Sequence, residues 1–186
     1  GMFESEEAFK ALQEDSSRMF WGYIKLASLL LSILAAVRFW GAKERGQRWW
    51  DVRQLAWINL ILAIVLIVIT SLPEFLLTPV VGADMAGYIS LAILFATLPL
   101  LALLAAGLIG DKSVSLISIF RSGWGASLRI IAYAAAVWAP LQWIHGKNHS
   151  WALGQSDAIV WALMLFDTIV VGLLAMMVGT ATHHGY

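Results

Sequence analysis

One carboxylate stands inside a long apolar run: "AIVWALMLFDTIVVGLLAMMVG", residues 158–179, carries Asp167 near its middle. A charged aspartate at the centre of a bilayer costs roughly 3 kcal/mol on insertion scales, so it must be paired, neutral or watered. Its own helix offers no ionic partner, because Leu163, Met164, Val170 and Val171 hold the i±3 and i±4 positions. A rise of 1.5 Å per residue puts Asp167 about 13 Å below the outer end of its segment. Lys25 enters from the same side, about 6–8 Å deep, and its long stem can close the gap. Arg129 approaches from the other side, and Tyr133 stands near the right depth. Asp167 is therefore expected to face the bundle interior and bond Lys25, with Tyr133 or Arg129 as second choices. Three roles stay open: a buried polar clamp, a proton or cation relay, and an intersubunit contact.

The four histidines test two further chemistries. Haem between helices needs two axial ligands at one depth on facing helices. His145 and His149 sit at the outer end of one segment, and His183 and His184 at the opposite face, so no haem is expected. "HGKNH", residues 145–149, has i,i+4 spacing that could bind a metal if helical. Gly146 and Asn148 favour a loop instead, and no acidic third ligand stands beside them in sequence. The expectation is a wet interfacial cluster, a solvated His183–His184 tail, and neither metal nor other cofactor. Cysteine is absent, which removes thiol catalysis, thiolate metal sites and disulfides. Phosphate loops, nucleophile elbows, zinc-protease helices and paired catalytic carboxylates are absent too, so an enzyme is not expected.

The elements that must position these groups follow from composition. Of 186 residues, 60% are hydrophobic and only 13% charged, against roughly 45–50% and 25% in soluble domains. Mean hydropathy is +0.78. A water-soluble fold of this size cannot hide so much apolar surface. The formal net charge is zero, with no long basic run, so nucleic-acid binding has no electrostatic support. Gly1 before Met2 reads as a tag remnant, and the polar, acidic opening does not read as a signal peptide.

The first nineteen residues read as a short amphipathic helix at the membrane surface. Ser5 is its N-cap, Glu6/Lys10 and Glu14/Arg18 are favourably ordered pairs, and Phe9, Leu12, Met19 and Phe20 form its apolar stripe. Residues 20–186 read as a transmembrane helical bundle with apolar segments near 20–40, 55–72, 87–110, 128–144 and 158–179. Backbone groups left unpaired in lipid are too costly for anything but helices or a barrel, and these runs lack strand alternation. The fold class is all-α: a polytopic integral membrane bundle of five spans, or four if residues 128–144 lie at the surface. Pro73 is expected to end the second segment, with residues 71–84 an outer hairpin loop, and Pro99 to kink the third. Ala106/Gly110 and Ala175/Gly179 are small-residue pairs that permit close helix approach.

Loop charge sets the orientation. Arg38, Lys43, Arg45, Arg48 and Arg53 fill the first loop, and Lys112 and Arg121 the third, while the second has no base. Both basic loops are expected to be cytoplasmic, with the N-terminus outside, the C-terminus inside, and the protein in the cell membrane. Most of the ten tryptophans fall near segment ends, where indole anchors at the headgroups. Residues 113–129 suit a cytoplasmic surface helix, with Gly123 and Gly125 as a hinge around Trp124. Arg45, Arg48, Arg53, Arg121 and Trp124 are then the groups placed to meet lipid headgroups. The function expected is a non-enzymatic, membrane-embedded subunit or small homo-oligomeric assembly contacting partners or lipid. The alternative is a small channel or proton-coupled transporter that uses Asp167.

Overall fold

A computed structural model describes residues 4–12 and 15–186, and every regular element among them is helical. The helices are α1 (Glu6–Ala11), α2 (Ser16–Glu44), α3 (Trp57–Ser71), α4 (Pro73–Val81), α5 (Ala83–Ala96), α6 (Pro99–Ile109), α7 (Leu116–Ser122), α8 (Trp124–Ala152) and α9 (Asp157–Gly185). Three stretches are long and apolar enough to cross a membrane: Ser16–Glu44, Trp57–Val81 and Asp157–Gly185. The pair α5–α6, bent by 50° at its break, makes a fourth when it is counted as one span. The bend falls where Pro99 begins α6, as a ring without an N–H requires. Large apolar side chains stay exposed along these helices, Ile58 at 82% and Phe75 at 80% among them. Open apolar surface on this scale suggests a membrane protein.

Several boundaries differ from expectation. The amphipathic segment is not one helix, because α1 closes at Leu12 and α2 already begins at Ser16. Met19 and Phe20 therefore belong to the long α2. Ser5 does cap α1, accepting from the Ala8 amide, and Lys10 pairs with Glu6 at 2.7 Å. Glu14 lies outside the described residues, and with it the Glu14/Arg18 pair. Arg18 donates to the Phe9 carbonyl and stands 4.6 Å from that ring's centre. Residues 71–84 are not a loop. Pro73 takes the first position of α4, where its missing N–H costs nothing, and the chain reverses at Gly82 with φ +83. Helix α8 runs eight residues past the expected end at Ile144.

The chain divides into two compact units, residues 1–36 with 134–180, and residues 37–133 with 181–186. The second has a core of Ala63, Leu100, Ala102, Leu103, Ala105, Ile119 and Ile130. Small residues let α3 and α6 meet almost backbone to backbone: a Cβ on Gly107 would stand 2.7 Å from the Leu60 Cα, and the Ala56 amide donates to the Gly107 carbonyl. Gly110 does not pack a helix face. It ends α6 in the left-handed region, with the Asp111 amide bonded back to the Ala106 carbonyl, a Schellman cap. The other expected pair does allow close approach: a Cβ on Gly179 would meet the Ala36 Cβ at 2.5 Å.

Polar groups lock the second unit. Arg38 is 5% exposed and donates to the carbonyls of Trp49 (3.2 Å), Asp51 (3.1 Å) and Leu108 (3.4 Å). Arg45 donates to the Ile109 carbonyl at 2.8 Å. Two cations thus meet the carbonyl end of α6, the favourable end of its dipole. Asn59 holds the following turn by donating to the Asp111 and Val114 carbonyls. The Tyr186 hydroxyl donates to Asp111 Oδ2 at 3.0 Å. Burial and that acidic acceptor push the Tyr186 hydroxyl well above the ordinary tyrosine range. Burial pushes Asp111 up, but bonds from Ser113 and Tyr186 outweigh it and hold the carboxyl low.

Candidate functional site

The candidate site lies in the first unit and is built from α2, α8 and α9. Asp167 is 5% exposed. Its Oδ1 is 2.6 Å from His145 Nδ1, and its Oδ2 is 3.7 Å from Lys25 Nζ. Lys25 therefore stands at the carboxylate as its sequence depth suggested, but the shorter contact belongs to His145. An ionised carboxylate only accepts, so Nδ1 carries the shared proton, and in a neutral ring Nε2 keeps the lone pair.

The hairpin of α8 and α9 creates this pairing. Gly154, at φ +68, turns the chain between the two helices. Asn148 is fully buried and donates to the Leu163 carbonyl at 2.6 Å. One turn further from the hairpin end on each helix, His145 meets Asp167. The loop expected at Gly146 and Asn148 is thus a helix. Their weak propensity is overridden because the Asn148 amide finds a buried carbonyl and the His145 ring finds a carboxylate. The missing acidic ligand is Asp167, distant in sequence and adjacent in space. His145, His149 and Asp167 each bring a ligand atom within 4.8 Å of the other two.

A cavity of about 440 Å³ reaches this cluster, lined by Lys25, Ser28, Ser32, Asp167 and Thr168 among others. Lys25, Ser28 and Ser32 follow one another at i, i+3 and i+7, so a single face of α2 brings these exposed polar groups to the rim of this space. Gly172 also lines the space, and a Cβ there would meet nothing within 4 Å. On the side of α1, Phe9 approaches the His149 ring, with centroids 6.2 Å apart.

The other expected site residues are placed elsewhere. Arg129 donates to the main-chain oxygens of Gly185 and Tyr186, which ties the end of α9 to α8. Tyr133 is half exposed. Of the five headgroup candidates, Arg45 is drawn to α6, as described. Arg53 is paired with Asp51 at 3.0 Å, and Arg48 and Arg121 are exposed. Trp124 opens α8 directly after α7 and Gly123, and stacks near Phe95 at 5.8 Å. The histidine tail divides. His184 is exposed beside Trp40, but His183 is 7% exposed and lies 2.9 Å from Glu44, so it is not solvated. Glu44, His183 and His184 form a second group with metal-ligand spacing.

Sequence reasoning passed over His145 as the partner of Asp167. A helix ending at Ala152 puts His145 about 10 Å from that end, and Asp167 lies about 15 Å along α9. Once α8 is extended, the two depths agree to within one turn. The available signal was the absence of proline and of any charge cluster between His145 and Ala152. Comparison with protein-family models, curated proteins and solved structures finds no match for this chain.

Proposed function

We propose that the chain is an integral membrane protein of five spans that handles a cation at Asp167, as a small carrier or channel rather than an enzyme. The observation that carries this reading is the cavity that reaches a buried carboxylate, where Lys25, Ser28, Ser32 and Thr168 stand among the apolar Leu29, Met164, Val171 and Ala175. Buried ionisable groups inside spans are costly, and those beside a cavity are suited to an ion path. Four spans are α2, α3–α4, α5–α6 and α9. The fifth is α8, less apolar, but its 29 residues reach about 43 Å, more than a hydrocarbon core of about 30 Å. The basic loops favour an N-terminus outside and a C-terminus in the cytoplasm, with the protein in the cell membrane. Arg48, Arg53 and Arg121 are then placed for anionic headgroups.

The test is flux through purified protein in liposomes, measured separately for protons, alkali cations and divalent metals. Flux of at least one cation above protein-free liposomes is expected. D167N should reduce it at least tenfold, and G172L, which puts a bulky side chain into the open space beside Gly172, should do the same. Background flux for every cation refutes the reading.

A second reading is a membrane-embedded subunit, alone or in a homo-oligomer, with the cluster as a packing clamp. The Asn148–Leu163 bond favours it, because that contact one turn away is purely structural. Under it, D167N lowers thermal stability or assembly, and G172L changes neither.

A further inference from the structure

We propose that His145, His149 and Asp167 form a binding site for a divalent first-row transition metal, with Lys25 holding the ion's place when the site is empty. The inference rests on the cation reading above and names the class of cation.

The donor set is suited to such an ion. Two imidazoles and one carboxylate serve zinc, cobalt, nickel or iron(II), whereas calcium and magnesium prefer oxygen alone. His145 and His149 are one turn apart on α8, so both rings project from one helix face. Their ring centroids are 4.8 Å apart. Asp167 comes from the antiparallel α9, and the ligand atoms of all three lie within 4.8 Å of one another. Tetrahedral zinc with bonds of about 2.0–2.1 Å sets its ligand atoms about 3.3 Å apart. The His145–Asp167 pair, now at 2.6 Å, must open slightly, the proton on Nδ1 must pass to Nε2 of the same ring so that Nδ1 offers its lone pair, and the others must close by about 1.5 Å or less. Side-chain torsions supply movements of that size without shifting a helix.

The backbone under the site is fixed. Asn148 lies between the two histidines in sequence and is anchored to α9 through the Leu163 carbonyl, so the spacing of α8 and α9 is set independently of the ion. Access is available, because both His149 and Asp167 line the cavity. Three protein ligands leave a fourth position for water or a transported partner, an arrangement suited to exchange rather than to permanent structural binding.

Lys25 gives the site its particular character. Its ammonium is 3.7 Å from Asp167 Oδ2, and its side chain is 52% exposed while that of Asp167 is 6% exposed. The carboxylate is thus neutralised by a cation that can swing away, and an arriving dication takes over the same charge. Two cations cannot share the carboxylate without repulsion, so metal entry and Lys25 departure are coupled.

The experiment uses the full chain in detergent, stripped with a chelator and titrated with Co²⁺, followed by competition with Zn²⁺. One equivalent of Co²⁺ should bind with the intense visible bands of low-coordinate cobalt, and Zn²⁺ should abolish them. H149Q should weaken binding at least about tenfold, the loss typical even of a partner one shell out. K25M, at a half-exposed position that does not threaten folding, should tighten it severalfold. H184Q, in the second histidine group, should leave the cobalt spectrum unchanged. Absence of the bands overturns the proposal, as does a spectrum that survives both H149Q and D167N, or K25M weakening the affinity. Metal binding without flux in liposomes keeps this site and removes the transport reading. Proton or alkali flux that needs Asp167 but ignores chelator and H149Q keeps transport and overturns the metal site.

Discussion

Arg38→Lys is the substitution that most directly tests the physical account of the second unit. Sequence treats Arg38 as one of five basic loop residues, and positive charge is all that such a role requires. The structure uses its shape. Three nitrogens of one planar fork donate to carbonyls of three separate residues, Trp49, Asp51 and Leu108, and the group is 5% exposed. Lysine keeps the charge but carries it on a single nitrogen that cannot reach three divergent acceptors. A hydrogen bond from a charged donor contributes about 1.5–3 kcal/mol, and these three, at 3.1–3.4 Å, belong at the weak end. Losing one or two of them, with lysine's own desolvation uncompensated, gives about 2–4 kcal/mol. For a chain of this length that is a fall in Tm of roughly 4–16 °C. Thermal unfolding in detergent, followed by loss of helical circular dichroism, reads it directly. Arg48→Lys, at an exposed position in the loop that follows α2, should shift Tm by less than a degree or two. Equal shifts for the two variants, or none for Arg38→Lys, would refute the argument that guanidinium geometry rather than charge is used here.

Gly107→Ala should cost about 1–3 kcal/mol in the same thermal assay, because its Cβ would stand 2.7 Å from the Leu60 backbone. Gly87→Ala, with nothing within 4 Å, should be neutral or stabilising by up to about 1 kcal/mol, and the reverse order would contradict the close α3–α6 packing. The Asp111–Tyr186 bond should make stability depend on alkali. The Tyr186 hydroxyl is raised above its ordinary value of 10.0, so its contribution is complete below that pH and is lost as the pH climbs through the raised value. Asp111 is lowered, so its share is complete above the ordinary carboxylate value of 3.8 and disappears as the pH falls through the lowered one. Tm measured from pH 7 to 11 should fall more steeply for the parent chain than for Tyr186→Phe, and parallel curves would remove the tyrosine from this account.

What the sequence determined by itself was the kind of structure and the position of its unusual carboxylate. Apolar length and helical rise are local properties, so the long segments, the bend at Pro99 and the isolation of Asp167 on its own helix were all legible. The end of α8 was not, because Gly146 and Asn148 vote locally for a loop, and only a carbonyl and a carboxylate on α9 outweigh them. The same limit hid the guanidinium fork of Arg38, which looked like loop charge until three carbonyls converged on it. The contact of His183 with Glu44 likewise joins residues far apart in the chain. The tertiary structure decided which polar groups share a site, since Coulomb attraction and hydrogen bonding act over a few ångströms of space and take no account of sequence separation. Asp167 needed a partner on any reading of the chain; only the antiparallel register of α8 and α9 could make it His145.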